Sequence, residues 1–210
     1  MNEKELDPIV CCRDKDATRT KILNSASEEF AKFGYISAKT EAIAANTNVT
    51  KAMIYYYFGN KENLYIETIK HIFLEPLKNI EILDLDNKPP IEALELILNQ
   101  MHAMISCKPT MSYIMMYEAL QNGGKYYKQV GLFNFYHLIS NIIQRGIDLG
   151  IFKDLDPKHT AVNIVGTCIY YFCSAENIKH LWDDNDLLSP DMLDRHKQSA
   201  FKLILNGLLI

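Results

Sequence analysis

The sequence predicts an all-α chain, with a small N-terminal three-helix head that carries a helix-turn-helix and a larger helical body behind it. Three observations predict this. Between Thr40 and Lys61, two short helix-forming runs meet at Asn46-Thr47-Asn48, whose side chains compete with helical hydrogen bonds. Upstream, Ile22, Ala26, Phe30 and Phe33 recur at steps of four, four and three, a core-facing helical stripe. Downstream, no stretch alternates like a strand and none repeats, while proline and glycine punctuate a series of long helical segments.

Taken in order, residues 1–15 mix charges with Pro8 and show no helical stripe, so a flexible arm is expected there. Thr18 to Phe33 is the supporting helix, ended by Gly34. Thr40 to Asn46 follows, with Ile43 as its apolar anchor among small helix-favouring alanines. Asn48 is the residue best suited to left-handed backbone angles in the turn, and Val49 plugs the angle between the helices. Thr50 can cap the next helix, Lys51 to Phe58, which buries Ile54 and Phe58 at i and i+4. Lys51, Met53, Tyr55 and Tyr56 cannot all share that face, so several of them must be exposed. Gly59-Asn60 stops the helix, and Asn60 can cap the one that follows. Two helices joined by a tight turn, the second displaying polar and aromatic tips, is the geometry of a major-groove reader.

The body reads as a series of helices. Asn63 to about Leu83 leaves the head and is bent near its far end by Pro76. Ile91 to Ser106 follows Pro89-Pro90, and Thr110 to Asn122 follows Pro109 and ends at Gly123-Gly124. Lys125 to Leu149 reads as one helix closed by Gly150, Pro157 to about Leu181 as the next, and Pro190 to about Leu209 as the last. The expected domains are therefore the arm 1–15, a helix-turn-helix domain 16–61 and a helical ligand-binding and dimerisation domain 62–210.

The run from Arg19 through Leu64 resembles the DNA-binding domain of the TetR (tetracycline repressor) family of bacterial regulators. The likeness is carried by Ile22-Leu23…Ala26…Phe30, Gly34-Tyr35, Ile43-Ala44, Val49-Thr50-Lys51, Ile54-Tyr55, Phe58 and Asn60-Lys61-Glu62-Asn63-Leu64. One departure is Asn48, where the turn usually has glycine; Asn can adopt the same backbone. The resemblance implies that Thr40 and Thr50 donate to phosphates and that Lys51, Ala52 and Met53 face base edges. It also implies that Tyr55 and Tyr56 flank the groove and that Lys61 holds a phosphate beside a helix N-terminus. Glu41, being acidic, could read a cytosine amino group but not a guanine. The helix order and the Gly150–Pro157 connection extend the resemblance to the whole chain, although no body motif names a ligand.

Charge distribution agrees with a DNA-binding head. The chain of 210 residues carries −4 overall, yet residues 16–61 hold six Lys/Arg against four Asp/Glu, and residues 66–210 hold 13 against 17. No apolar run has the length of a signal peptide core or a membrane span, so a cytoplasmic protein without membrane association is expected. The five cysteines fit reduced thiols, and adjacent Cys11-Cys12 lacks metal-ligand spacing. No metal or cofactor is implied. An enzyme is disfavoured: there is no nucleophile elbow or phosphate loop, and His102 and Cys107 do not share a helix face.

Two body features carry expectations. Val162, Val165, Gly166, Ile169 and Phe172, with Phe201, Ile204, Leu205 and Leu208, form stripes suited to a two-fold dimer, which would demand a palindromic operator of double-stranded DNA. The middle helices offer a methionine- and aromatic-rich lining for a small effector: Met101, His102, Met104, Tyr113, Met116, Tyr117, Phe135 and His137. The stretch Ile91–Ser106 has no Lys or Arg, which favours a neutral, apolar or cationic effector over an anionic one. Glu118, in an otherwise apolar run, could answer a cationic ligand but is expected to point to solvent. The function read from these features is a ligand-responsive repressor, released from its operator when the effector binds. The alternative is a ligand-independent DNA-binding protein whose body binds another protein.

Overall fold

The computed structural model describes residues 8–210; residues 1–7, and the side chains of 8–15 (Cys11 and Cys12 among them), Asn79 and Glu81, lie outside the described residues. Helix α1 (Pro8–Ser37) starts well before the expected boundary, so residues 8–15 are helical rather than an irregular arm. From Pro8 onward neither glycine nor proline interrupts the chain before Gly34. Helical geometry breaks at Gly34 (φ 70°, ψ 174°), where a Cβ would lie 2.3 Å from the Gln121 side chain. Only glycine fits there. Ile22, Ala26 and Phe30 are fully buried, but Phe33 is 41% exposed. The last step of three carries Phe33 off the core face, and Tyr35 packs beside Phe30 and Tyr65 instead.

Helix α2 (Thr40–Thr47) ends at Asn48, which is left-handed at φ 55°, ψ 37°, as the turn requires. Val49 is half-buried against the head core. The Thr50 hydroxyl oxygen accepts from the Met53 N–H at 3.1 Å and caps α3 (Lys51–Phe58), whose anchors Ile54 and Phe58 are buried. Gly59 at φ 78° ends α3, and Asn60 Oδ1 accepts from Asn63 N at 2.8 Å to cap α4 (Lys61–Ile69). The helix continues through a π turn (Lys70–Leu74) into α5 (Glu75–Glu81). Pro76 has no N–H to give and its ring crowds the preceding turn, so the ladder widens just ahead of it.

Helices α6 (Pro90–Cys107) and α7 (Thr110–Asn122) follow their prolines. The single helix expected from Lys125 to Leu149 is two, α8 (Lys125–Val130) and α9 (Asn134–Asp148). Gly131, at φ 78°, supplies a left-handed break inside the run. Helix α10 (Pro157–Ile178) is capped by the Asp156 side chain, which accepts from His159 N, and α11 (Pro190–Leu208) closes the chain. Among the described residues there is no strand, only one isolated bridge between Phe152 and Leu209.

Two cores result. The body core packs α6, α9, α10 and α11 through Leu94, Ile97, Leu98, Ile139, Ile143 and Phe172. The head core joins α1 to α4 and continues to Ile72, taking in Met111, Ile114, Tyr126 and Leu132 from α7, α8 and the α8–α9 turn. Residue 61, the expected end of the head, is the first residue of α4, so that helix belongs to the head core and leads out of it.

Candidate DNA interface and effector cavity

Burying Ile54 and Phe58 turns the rest of α3 outward. Lys51, Ala52, Met53, Tyr55 and Tyr56 are exposed, Tyr56 most of all at 75%. Tyr57 is half-buried against the head core and stacks edge-on beside Tyr56. The two helices of the reader are tied across their outer face. Lys51 Nζ donates to Glu41 Oε1 at 2.5 Å and lies 5.6 Å above the Tyr55 ring. The hydrogen bond from Lys51 holds the Glu41 carboxyl below its usual range and raises Lys51 in return. Both groups are exposed, so the pair fixes geometry more than it stabilises the fold.

Thr40 differs from its expected role as a free phosphate donor. It is buried at the first position of α2, with its hydroxyl 3.3 Å from the Tyr55 hydroxyl and 3.3 Å from Glu41 Oε2. Thr50 stands exposed at the start of α3, its oxygen used as a cap while its proton remains available. Lys61 is half-buried: its Nζ donates to the Ile36 carbonyl at 3.1 Å and sits over the Tyr35 ring, and burial lowers its pKa.

A small apolar cavity of about 50 Å3 lies between α5, α6, α7, α8, α9 and α10. Of the expected lining residues it contains Met101, Met104 and Phe135, together with Met111 and Met115. Sequence reading missed Phe73, Leu77 and Tyr127 in this lining. Tyr127 sits in the polar run Lys125–Lys128 and Phe73 in the π turn, so neither belonged to a recognisable stripe. Two open grooves adjoin the cavity. One of about 680 Å3 shares Leu77 and Phe135 with it, and one of about 530 Å3 shares Met115 and Tyr127. A void of 50 Å3 is too small to hold a drug-sized molecule unless its methionine and aromatic side chains move apart.

Several expected lining residues lie elsewhere. His102 is buried on the opposite face of α6, edge-on to Phe172 and beside His196 of α11. His137 is exposed one turn beyond Phe133, and Met116 is 43% exposed on the wall of the second groove. Tyr117 lies between body and head, its hydroxyl donating to the Lys32 carbonyl at 3.4 Å. Tyr113 is half-buried beside Glu176 and Cys173. Helical periodicity identified apolar positions here without saying which of three neighbouring helices each would face.

Glu118 also departs from expectation. It is 2% exposed, and four donors surround its carboxylate. Among the described residues no group of three or more His, Cys, Asp or Glu could hold a metal ion. No helix among them is long and apolar enough to cross a membrane.

The stripes expected at the dimer surface split. Val165, Phe172, Ile204 and Leu208 are buried within the subunit, because α10 and α11 pack those faces onto α6 and α9 and onto each other. Val162 and Gly166 are exposed, while Ile169, Phe201 and Leu205 are half-buried. Leu203 at 67% and Tyr170 at 63% extend the exposed apolar face.

Comparison with known proteins fits this architecture. Residues 22–68 match the family model described as bacterial regulatory proteins of the tetR family, and residues 90–204 match a tetracyclin repressor-like C-terminal domain. The chain is 25% identical over 206 residues to the HTH-type transcriptional repressor NicS of Pseudomonas putida, covering 96% of this chain and 94% of NicS. Over 69 residues, 31% of this chain and 32% of the relative, it is 38% identical to the HTH-type transcriptional regulator RutR of Escherichia coli. Among solved structures it superimposes on FadR of Bacillus subtilis in complex with stearoyl-CoA with a TM-score of 0.69 at 22% identity, covering 90% of this chain and 98% of FadR. A TetR-like regulator from Rhodococcus sp. RHA1 gives a TM-score of 0.68 at 17% identity, covering 90% and 94% of the two chains. With both halves of the chain matched, the protein belongs to the TetR family of bacterial transcriptional regulators, an N-terminal helix-turn-helix on a helical body.

Proposed function

We propose that the protein is a dimeric repressor that reads a palindromic operator through α2 and α3 and releases it when a small, mostly apolar effector opens the cavity between α5, α7 and α8. The observation that carries this reading is the outward display on α3: Lys51, Ala52, Met53, Tyr55 and Tyr56 stand free of the core on a helix pinned by Ile54 and Phe58. Ala52 and Met53 suit thymine methyl groups, Lys51 suits a guanine or a phosphate, and Thr50 and Tyr56 suit the backbone on either side. Glu41, held by Lys51, can accept from a cytosine amino group. The division into a reader and an effector-binding, dimerising body follows the position of α4, which is rooted in the head and continues into the body.

The cavity lining, four methionines with Phe73, Tyr127 and Phe135, supports an apolar or cationic effector rather than an anionic one. The exposed face of α10 and α11, with Val162, Gly166 and Leu203, supports a two-fold partner, since so much apolar surface is rarely left in water. FadR was solved with stearoyl-CoA, whose long acyl chain would suit a methionine lining while its anionic phosphates would have to stay outside it.

Binding of the purified protein to its own upstream intergenic DNA over a salt series tests the reading. Tyr55→Ala should weaken binding at all salt concentrations. Lys61→Ala should flatten the salt slope by about one unit if Lys61 leaves the Ile36 carbonyl for a phosphate. Binding that is equally strong on unrelated DNA, and unchanged in both variants, would contradict it.

A further inference from the structure

We infer that Glu118 is the positioning residue through which the effector cavity governs the reading head, an inference that rests on the cavity assignment above. On helix α7, Met111, Met115, Glu118 and Asn122 follow one another along one face. Met111 and Met115 line the cavity, and Glu118 occupies the next turn, where the body meets the head. Its two oxygens face different partners. Oε2 accepts from the Tyr65 hydroxyl of α4 at 3.0 Å and from Asn122 Nδ2 at 2.6 Å. Oε1 accepts from the backbone N–H groups of Tyr126 at 2.7 Å and Tyr127 at 3.3 Å, at the start of α8.

Those two tyrosines point opposite ways. Tyr127 lines the cavity, 6.4 Å from Phe73 across it. Tyr126 is buried in the head core, edge-on to Tyr65 at 5.2 Å and 5.5 Å from Tyr35, and its hydroxyl donates to Glu62 Oε1 at 2.9 Å. Tyr65 in turn meets Phe30 of α1 edge-on at 4.8 Å. An effector that displaces Tyr127 or Met115 must therefore move α8 or α7 against a carboxylate that also holds α4. Buried, with donors of fixed direction on both oxygens, Glu118 cannot follow one side without loosening the other. The resulting tilt reaches α1 and α4, which carry α2 and α3.

A double-mutant cycle tests this without knowledge of the effector. Met115→Trp fills the cavity covalently, and operator affinity is measured on a DNA fragment selected by the wild-type protein from a random-sequence pool. Met115→Trp should weaken binding by about tenfold. In a Glu118→Gln background, where an amide N–H replaces one acceptor, its effect should fall to less than about twofold, and the same should hold in Tyr65→Phe. Tyr65→Phe loses only the hydroxyl, so it keeps the test decisive if Glu118→Gln folds poorly. A Met115→Trp effect of equal size in all three backgrounds overturns the role of Glu118 while leaving the effector cavity standing. No effect of Met115→Trp in any background, with DNA binding intact, overturns both.

Discussion

Mild acid should destabilise the protein through His196. Its ring lies face to face with Tyr171, with centroids 3.9 Å apart and planes within 6°, and edge-on to Phe172. Burial, and after it the neighbouring His102, lowers its pKa to about 4. In the unfolded chain the same ring takes up its proton near the ordinary value of about 6.5. The native state therefore binds fewer protons between those two values, and stability falls as the pH falls through that window. The contribution is fully present above about pH 6.5 and lost towards pH 4. Between pH 7 and pH 5 it amounts to about 2 kcal/mol, because at pH 5 the unfolded histidine is nearly all charged while the native one is nearly all neutral. His102 shifts in the same direction, by burial first and then by Lys197, with Asp194 opposing.

In a chain of this size about 2 kcal/mol lowers Tm by roughly 4–8 °C. Calorimetry at intervals between pH 7.5 and 4.5 reads it. His196→Phe keeps the stack on Tyr171 but cannot titrate, so its Tm should fall much less over the same range. A wild-type Tm that moves by less than about 1 °C, or an equal slope in the variant, would rule out titration of His196 as the cause.

Other substitutions separate folding from reading. Asn48→Val forces a β-branched residue into the left-handed turn and should cost about 1–2 kcal/mol by thermal melting, whereas Asn48→Gly should be nearly neutral. Tyr56→Ala, at a residue 75% exposed, should leave Tm within about 1–2 °C yet weaken operator binding, a split that melting and fluorescence anisotropy measure together. Gly146→Ala would place a Cβ 1.9 Å from the Phe152 ring and should destabilise by more than about 2 kcal/mol in urea unfolding, because α9 and the loop behind it pack without spare room. Glu41→Gln releases Lys51 and should alter base preference in a selection more than it alters stability.

The head was legible because its signals are local. Asn48, Thr50, Gly59 and Asn60 each act on backbone within three residues, and all four do what their chemistry implies. Helix ends in the body were legible for the same reason, at Pro90, Pro157 and Pro190. Gly131 was not, because a lone glycine in a helical run gives no sign of whether the chain turns there. What faces what was also hidden. His102 and Met101 are adjacent in sequence, yet one meets His196 and the other the cavity, because α6 is packed by α5, α7, α9, α10 and α11 on its different faces. Glu118 looked like a surface carboxylate: nothing local announces that Tyr65, 53 residues away, and two backbone amides of the next helix will converge on it. The dimer stripes were apolar for two reasons at once, inward packing at Val165 and Ile204 and an uncovered face at Val162, and periodicity alone does not divide them.

Exposed side chains of α2 and α3 should read DNA as a pair of heads. Selection from a random-sequence pool, followed by measurement of protein stoichiometry on the recovered fragment, tests this. An inverted repeat bound by two chains or a multiple of two is expected, with half-sites centred about one helical turn apart or more. The consensus should be lost in Lys51→Ala or Tyr55→Ala. Recovery of no consensus, or of one that both variants still select unchanged, would contradict it.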